Sequence, residues 1–171
     1  MEVLNESLYV TTVFCLRLLW DTIYDGWAKI SSDMGLTVTE EQVLWAIWLF
    51  DSSTVTEVAS RLQRDKGTIS KCIYSLEESG LVLRKAGVDR RSYEFKITEE
   101  GEKLRQRLSV AHGCSSPVSQ AFAKLTDAEQ KMFLSLVAKL SQHIEGEAYV
   151  SEVIHHLARV DAAITSSAGN V

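Results

Sequence analysis

A single proline in 171 residues, Pro117, leaves nearly the whole chain free to be helical, because proline alone both removes a backbone donor and clashes with the preceding helical turn. Three Thr-x-x-Glu/Gln spacings mark helix starts: Thr39 with Gln42, Thr54 with Glu57, and Thr126 with Glu129. Each can satisfy two orphan N–H donors reciprocally. Val38 and Val43 stand at staple positions around the first, and "EEQVLWAIWLF" behind it is apolar nearly all round, which predicts a buried helix. Ahead of it, residues 4–32 read as one long helix carrying Leu8, Phe14, Leu18, Leu19, Ile23, Trp27 and Ile30. After residue 101, "GEKLRQRL" continues as a helix to about Ala111, "HGCSSP" breaks it, and "DAEQKMFLSLVAKLSQHI" forms another. "VSEVIHHLARVDAAI" reads as a last helix before a frayed "TSSAGNV".

The middle of the chain departs from this all-helical pattern. Thr54 caps a short helix with Val55, Val58, Ala59 and Leu62 on one face; after "QR", a second helix starts at Asp65. That is a helix-turn-helix. In the second helix Ile69, Cys72, Ile73 and Leu76 are spaced i, i+3, i+4, i+7 and face inward, while Lys66, Gly67, Thr68, Ser70 and Lys71 crowd the outward face of its first half. Small hydroxyls and lysines on such a face suit a major groove roughly 12 Å wide. Gly80 supplies the left-handed residue that ends the helix, and "LVLRKAG" and "YEFKIT" alternate as two strands around a turn holding Asp89, Arg90 and Arg91. A hairpin tip with two arginines beside a reading helix is a wing, placed to enter the adjacent minor groove. Arg61 and Arg64 either position phosphates or lie along the core with their charged ends in water.

Charge is distributed to match. The formal net charge is −5, yet residues 1–60 carry 2 Lys/Arg against 9 Asp/Glu, residues 61–91 carry 8 against 4, and residues 92–171 carry 8 against 10. One basic segment inside an acidic chain points to a single anion-facing surface. Hydrophobic residues make up 46 %, enough for a sizeable core, and no apolar run approaches the roughly 20 residues that cross a bilayer. With the acidic, polar start "MEVLNES", the expectation is a cytoplasmic protein with no membrane partner. Cys15, Cys72 and Cys114 are odd in number and lack CxxC spacing, so neither a disulfide framework nor a metal site is expected, and no cofactor. His112, His143, His155 and His156 come with no Ser/His/Asp set, HExxH or phosphate loop; the adjacent pair points about 100° apart on a helix. An enzyme is not expected.

The run Asp89, Arg90, Arg91, three residues, Phe95, Lys96, Ile97, Thr98, two residues, Gly101 resembles the DRRxxxVxLTxxG wing signature of the MarR family, with Phe for Val and Ile for Leu. "EVASRL" and "DKGTISKCIYSLEESGLV" look like that family's two helix-turn-helix helices, so the resemblance covers about residues 36–112. "LWDTIYDGW" together with "QVLWAIWL" looks like the Hpr-type branch, regulators of protease production and sporulation. The resemblance implies that Asp89 fixes the turn by pairing with arginine or backbone N–H groups, that Arg91 reaches DNA, and that Arg90 takes either role. It also implies sensing. Some MarR relatives respond to peroxides through a first-helix thiol, which makes Cys15 a candidate redox sensor, and small-molecule effectors are typical. Trp20, Tyr24, Trp27, Trp45 and Trp48 are candidates to line an effector pocket between the dimer helices and the DNA-binding lobe, or they are core and dimer interface.

The sequence thus predicts a mainly α fold with a small β wing: a winged helix-turn-helix core at 36–101, an N-terminal dimerisation helix at 1–35, C-terminal dimerisation helices at 102–165 and a frayed tail at 166–171. The expected function is a MarR-type transcription regulator, a repressor binding double-stranded DNA as a homodimer at a near-palindromic operator. The alternative is a winged-helix module used only on protein.

Overall fold

Helix α1 (Glu6–Asp33) starts at Asn5, whose side chain accepts from the Leu8 amide, and it buries only its last turns, at Ile30 and Ser31. The computed structural model describes residues 5–51, 53–87, 93–151 and 153–155. It divides into two units, residues 1–48 with 52–124 and residues 49–51 with 125–171.

In the first unit α2 (Val38–Leu49) follows α1. Its cap corrects the expectation: the reciprocal box is Thr37 with Glu40, the Thr37 hydroxyl accepting from the Glu40 amide at 3.2 Å and the Glu40 carboxylate from the Thr37 amide at 2.8 Å. "LTVTEEQ" contains both spacings, and the earlier start is the one used. It puts Glu41, Val43, Leu44, Ala46 and Ile47 inside. Helix α3 (Val55–Arg61) does start at the Thr54–Glu57 box, and α4 (Lys66–Glu78) starts with Asp65 as its cap rather than its first residue. Between them Gln63 stands at φ 50.

Helix α4 ends as Gly80 predicts. Gly80 has φ 70, its N–H bonds to the Glu77 carbonyl, and the Leu81 N–H reaches back to Leu76, the paired closure that a left-handed residue permits. Strands β1 (Val82–Ala86) and β2 (Tyr93–Ile97) then pair antiparallel with Val82 opposite Ile97, Arg84 opposite Phe95 and Ala86 opposite Tyr93. Ser53 adds a single bridge to Phe95 on the free side of β2. Val43, Leu44, Ile47, Val58, Ile69, Ile73, Leu76, Val82, Phe95 and Leu108 form one buried cluster. Each fully buried aliphatic there contributes about 2 kcal/mol. The inward stripe of α4 is therefore pinned, and its opposite face is left to solvent.

Thr98 caps α5 (Glu99–Ser115), its hydroxyl accepting from the Gly101 amide and donating to the Gly80 carbonyl at 2.7 Å, so one side chain joins the hairpin, the end of α4 and the start of α5. Helix α5 runs past the expected stop at Ala111 to Ser115; only Ser116 interrupts it before α6 (Pro117–Phe122), an unexpected short helix with proline at its first position. Helices α5 and α6 pack on each other and on α1.

In the second unit α7 (Asp127–Glu145) starts at the Thr126–Glu129 box as expected. Beyond Gly146, residues 147–151 and 153–155 are helical, and the rest of the expected last helix lies outside the described residues. Among the described residues no helix is long and apolar enough to cross a membrane, and no group of three or more His, Cys, Asp or Glu could hold a metal ion.

Candidate nucleic-acid interface

The outward face of α4 is built by its cap and its core stripe together. Asp65 accepts from the Thr68 amide at 2.8 Å, and hydrogen bonds from the Thr68 side chain and backbone hold the Asp65 carboxyl below its usual range. With Ile69, Ile73 and Leu76 buried, Lys66, Gly67, Ser70 and Lys71 are exposed and Thr68 is half-buried. Gly67 keeps the surface low. A Cβ there would meet only Asp65 Oδ1, at 3.1 Å, so the protein's own packing does not demand glycine. Arg64 in the preceding turn is exposed; Arg61 is half-buried, donating to the Ser53 hydroxyl at 2.8 Å, which ties it to the base of the sheet.

The hairpin stands beside this helix. Its inner face carries Val82, Phe95 and Ile97 into the core and then, farther from the core, Arg84 and Tyr93, with the Arg84 guanidinium lying over the Tyr93 ring 3.4 Å from its centroid. A groove of about 350 Å³ separates helix and hairpin, lined among others by Ser70, Tyr74, Glu77, Arg84 and Tyr93. Neither Arg84 nor Tyr93 was singled out in the sequence. The available signal was the strand alternation that sets both on the face shared with Phe95.

Comparison with known proteins agrees with this geometry. The sequence model of the sugar-specific transcriptional regulator TrmB family matches residues 31–98, less than half of the chain. The HTH-type transcriptional regulator Hpr of Geobacillus thermodenitrificans (strain NG80-2) is 27 % identical over 93 residues, covering 54 % of this chain and 46 % of that protein. The chain thus spans about half the length of that relative. Among solved structures, a MarR-family transcriptional regulator from Silicibacter pomeroyi superposes with TM-score 0.67 at 20 % identity, covering 84 % of this chain and 97 % of that one. The transcriptional repressor CouR, bound to a 23-mer DNA duplex, gives TM-score 0.66 at 19 % identity, with 82 % and 99 % covered.

The chain has the MarR winged-helix fold.

The remaining expected sites map onto this MarR framework unevenly. Asp89, Arg90 and Arg91 lie outside the described residues. Thr98 and Gly101 of the same signature are described, and both serve the joint of hairpin and helices: a Cβ at Gly101 would be driven into the Leu81 carbonyl oxygen and lie 2.7 Å from Ile97 Cγ1. Cys15 is exposed on α1, while Cys72 is half-buried on α4, where burial and then the negative charge of Glu40 push its thiol up. The aromatics make three sets of ring contacts. Trp20 and Tyr24 pair on the exposed side of α1, Trp27 meets His112 edge-on at 5.6 Å, and Trp45 and Trp48 pack against each other with the buried Arg105 guanidinium 3.9 Å over Trp48. Arg105 is in turn held by Glu102 on its own helix, at 2.6 Å.

Sequence reasoning missed one buried polar centre. Glu41 is fully buried, and its carboxylate accepts from Ser31 on α1 at 2.5 Å, from Trp45 on α2 at 3.0 Å and from His112 on α5 at 2.7 Å. Burial alone pushes the Glu41 carboxyl up, but the hydrogen bonds from His112, Ser31 and Trp45 outweigh it and hold the group below its usual range, favouring the ionised form. An ionised carboxylate only accepts, so Nε2 of His112 carries the proton between them.

Proposed function

We propose that the chain is a DNA-binding transcription regulator of the MarR type, a repressor that binds a near-palindromic operator as a homodimer. The observation that carries this reading is the exposed first half of α4, with Lys66, Gly67, Ser70 and Lys71 free of the core, beside a hairpin whose first strand lies in the same basic segment of an acidic chain. On this reading α4 lies in a major groove, Lys66, Gly67, Thr68, Ser70 and Lys71 meet base edges and phosphates, Arg64 and Arg61 flank the backbone, and the turn with Asp89, Arg90 and Arg91 enters the next minor groove. Two copies are needed because apolar side chains on α1 (Leu8, Phe14, Leu18) and α7 (Met132, Leu136, Ile144) remain exposed on a single chain. Effector binding near the aromatic groups, or oxidation of Cys15, would modulate affinity by favouring one separation of the two reading helices over another.

The test is affinity for duplex DNA as a function of salt. Arg91→Ala should weaken binding by on the order of 1 to 3 kcal/mol, and Lys71→Ala should lower the salt slope by about one. Parental affinity at several salt concentrations would remove that residue from the interface. Cys15→Ser should abolish any loss of DNA binding on peroxide treatment; an identical response in parent and variant would exclude Cys15 as sensor.

A further inference from the structure

The groove between reading helix and hairpin has its own role if the chain reads DNA as proposed, and the inference rests on that reading. A helix in a major groove and a hairpin in the adjacent minor groove straddle one strand of the sugar-phosphate backbone, because that strand is what separates the two grooves. Whatever lines the gap between them therefore faces phosphate. Here the gap is lined by Ser70 and Tyr74 of α4 and by Arg84 and Tyr93 of the hairpin. Arg84 is exposed, and among the described residues no carboxylate lies within ion-pair distance of its guanidinium. It is also oriented: the hairpin register sets Arg84 diagonally to Tyr93 on the same face, and the guanidinium lies flat on the ring at 3.4 Å. A stacked guanidinium loses less freedom on binding than a mobile one and keeps the edge bearing its N–H groups free for phosphate oxygens.

The geometry points to Arg84 as a phosphate contact at the crossing between the two grooves, with Tyr93 as the residue that positions it. The partner is the backbone of double-stranded DNA, read without regard to sequence. Glu77 lines the same groove and sets its limit, since a phosphate placed toward that carboxylate would be repelled.

The experiment is the salt dependence of binding to a mixed-sequence DNA duplex of about three helical turns, long enough for any register. For Arg84→Ala the log–log slope should fall by about 0.9 for each protomer engaged, so that the parent's advantage shrinks about threefold per protomer between roughly 50 and 200 mM salt. Arg84→Lys keeps the charge and should keep the slope. Tyr93→Phe keeps the ring and should bind as the parent does; Tyr93→Leu should bind more weakly, with no further loss when combined with Arg84→Ala. Thermal unfolding of each variant, which an exposed side chain should leave unchanged, separates loss of contact from loss of fold. A parental slope in folded Arg84→Ala overturns the inference while leaving the DNA reading intact. A parent that binds no duplex at any salt overturns that reading and the inference with it.

Discussion

At the scale of single residues, Glu41 matters most to the fold's integrity, because one fully buried carboxylate gathers donors from α1, α2 and α5. Its folded pKa is depressed, so its stabilisation is fully present above the unfolded carboxylate range and is lost as pH falls through the folded value. Acid unfolding of the parent should therefore have a component below about pH 4.5 that Glu41→Gln lacks. Glu41→Ala strands the Trp45 N–H and takes the acceptor from His112, while the Ser31 hydroxyl keeps the Trp27 carbonyl at 2.9 Å, and it should cost about 3 kcal/mol in denaturant unfolding. An unchanged acid limb in Glu41→Gln would contradict the network. Gly101 is the second such position: with the Leu81 carbonyl oxygen and Ile97 against its α-carbon, Gly101→Ala should lower stability by about 2 kcal/mol, and a parental melting temperature would show that the joint is looser than described. Within the wing signature, Thr98 and Gly101 build the joint of hairpin and helices.

At the scale of elements, local chemistry decided the starts and stops, and its ambiguities are where the sequence misled. Thr54 and Thr126 each offered one reciprocal box and were used, whereas "LTVTEEQ" offered two and the fold took the one that turns Val43, Leu44 and Ile47 inward. Thr37→Ala should accordingly cost about 1 kcal/mol and Thr39→Ala almost nothing; the reverse order by denaturant titration would restore the cap at Thr39. Gly113 and the serines around it suggested a broken helix, but an isolated glycine costs only about 1 kcal/mol against alanine, too little to stop α5. What stops it is Pro117, which restricts Ser116 and then starts α6 from its first position. The reading helix was legible because its stripe at i, i+3, i+4 and i+7 had one solution; Arg84 and Tyr93 were not, because nothing in a five-residue strand says that its inner face outlasts the core.

At the scale of the whole molecule, charge and exposed apolar surface each carry a prediction. The basic residues concentrate in residues 61–91 and the acidic ones in residues 1–60, so on the proposed function DNA would be drawn to the helix-turn-helix and repelled elsewhere. In the proposed homodimer, exposed side chains on α1 and α7 meet a second copy: Phe14, 66 % exposed, replaced by Asp should weaken self-association about thirtyfold if its ring is buried between copies, and sedimentation equilibrium at parental association strength would place that interface elsewhere. The five aromatic rings singled out in the sequence make an exposed pair, a histidine contact and an arginine stack. The most direct test of the central claim is selection of bound duplexes from a random pool under reducing conditions, with the salt dependence of affinity measured on the winners. A dimeric reader recovers an inverted repeat with half-sites about 34 Å apart, one turn of B-DNA, and a steep salt slope. A pool without enrichment, bound weakly and indifferently to salt, would mean that the helix and hairpin face a protein partner instead.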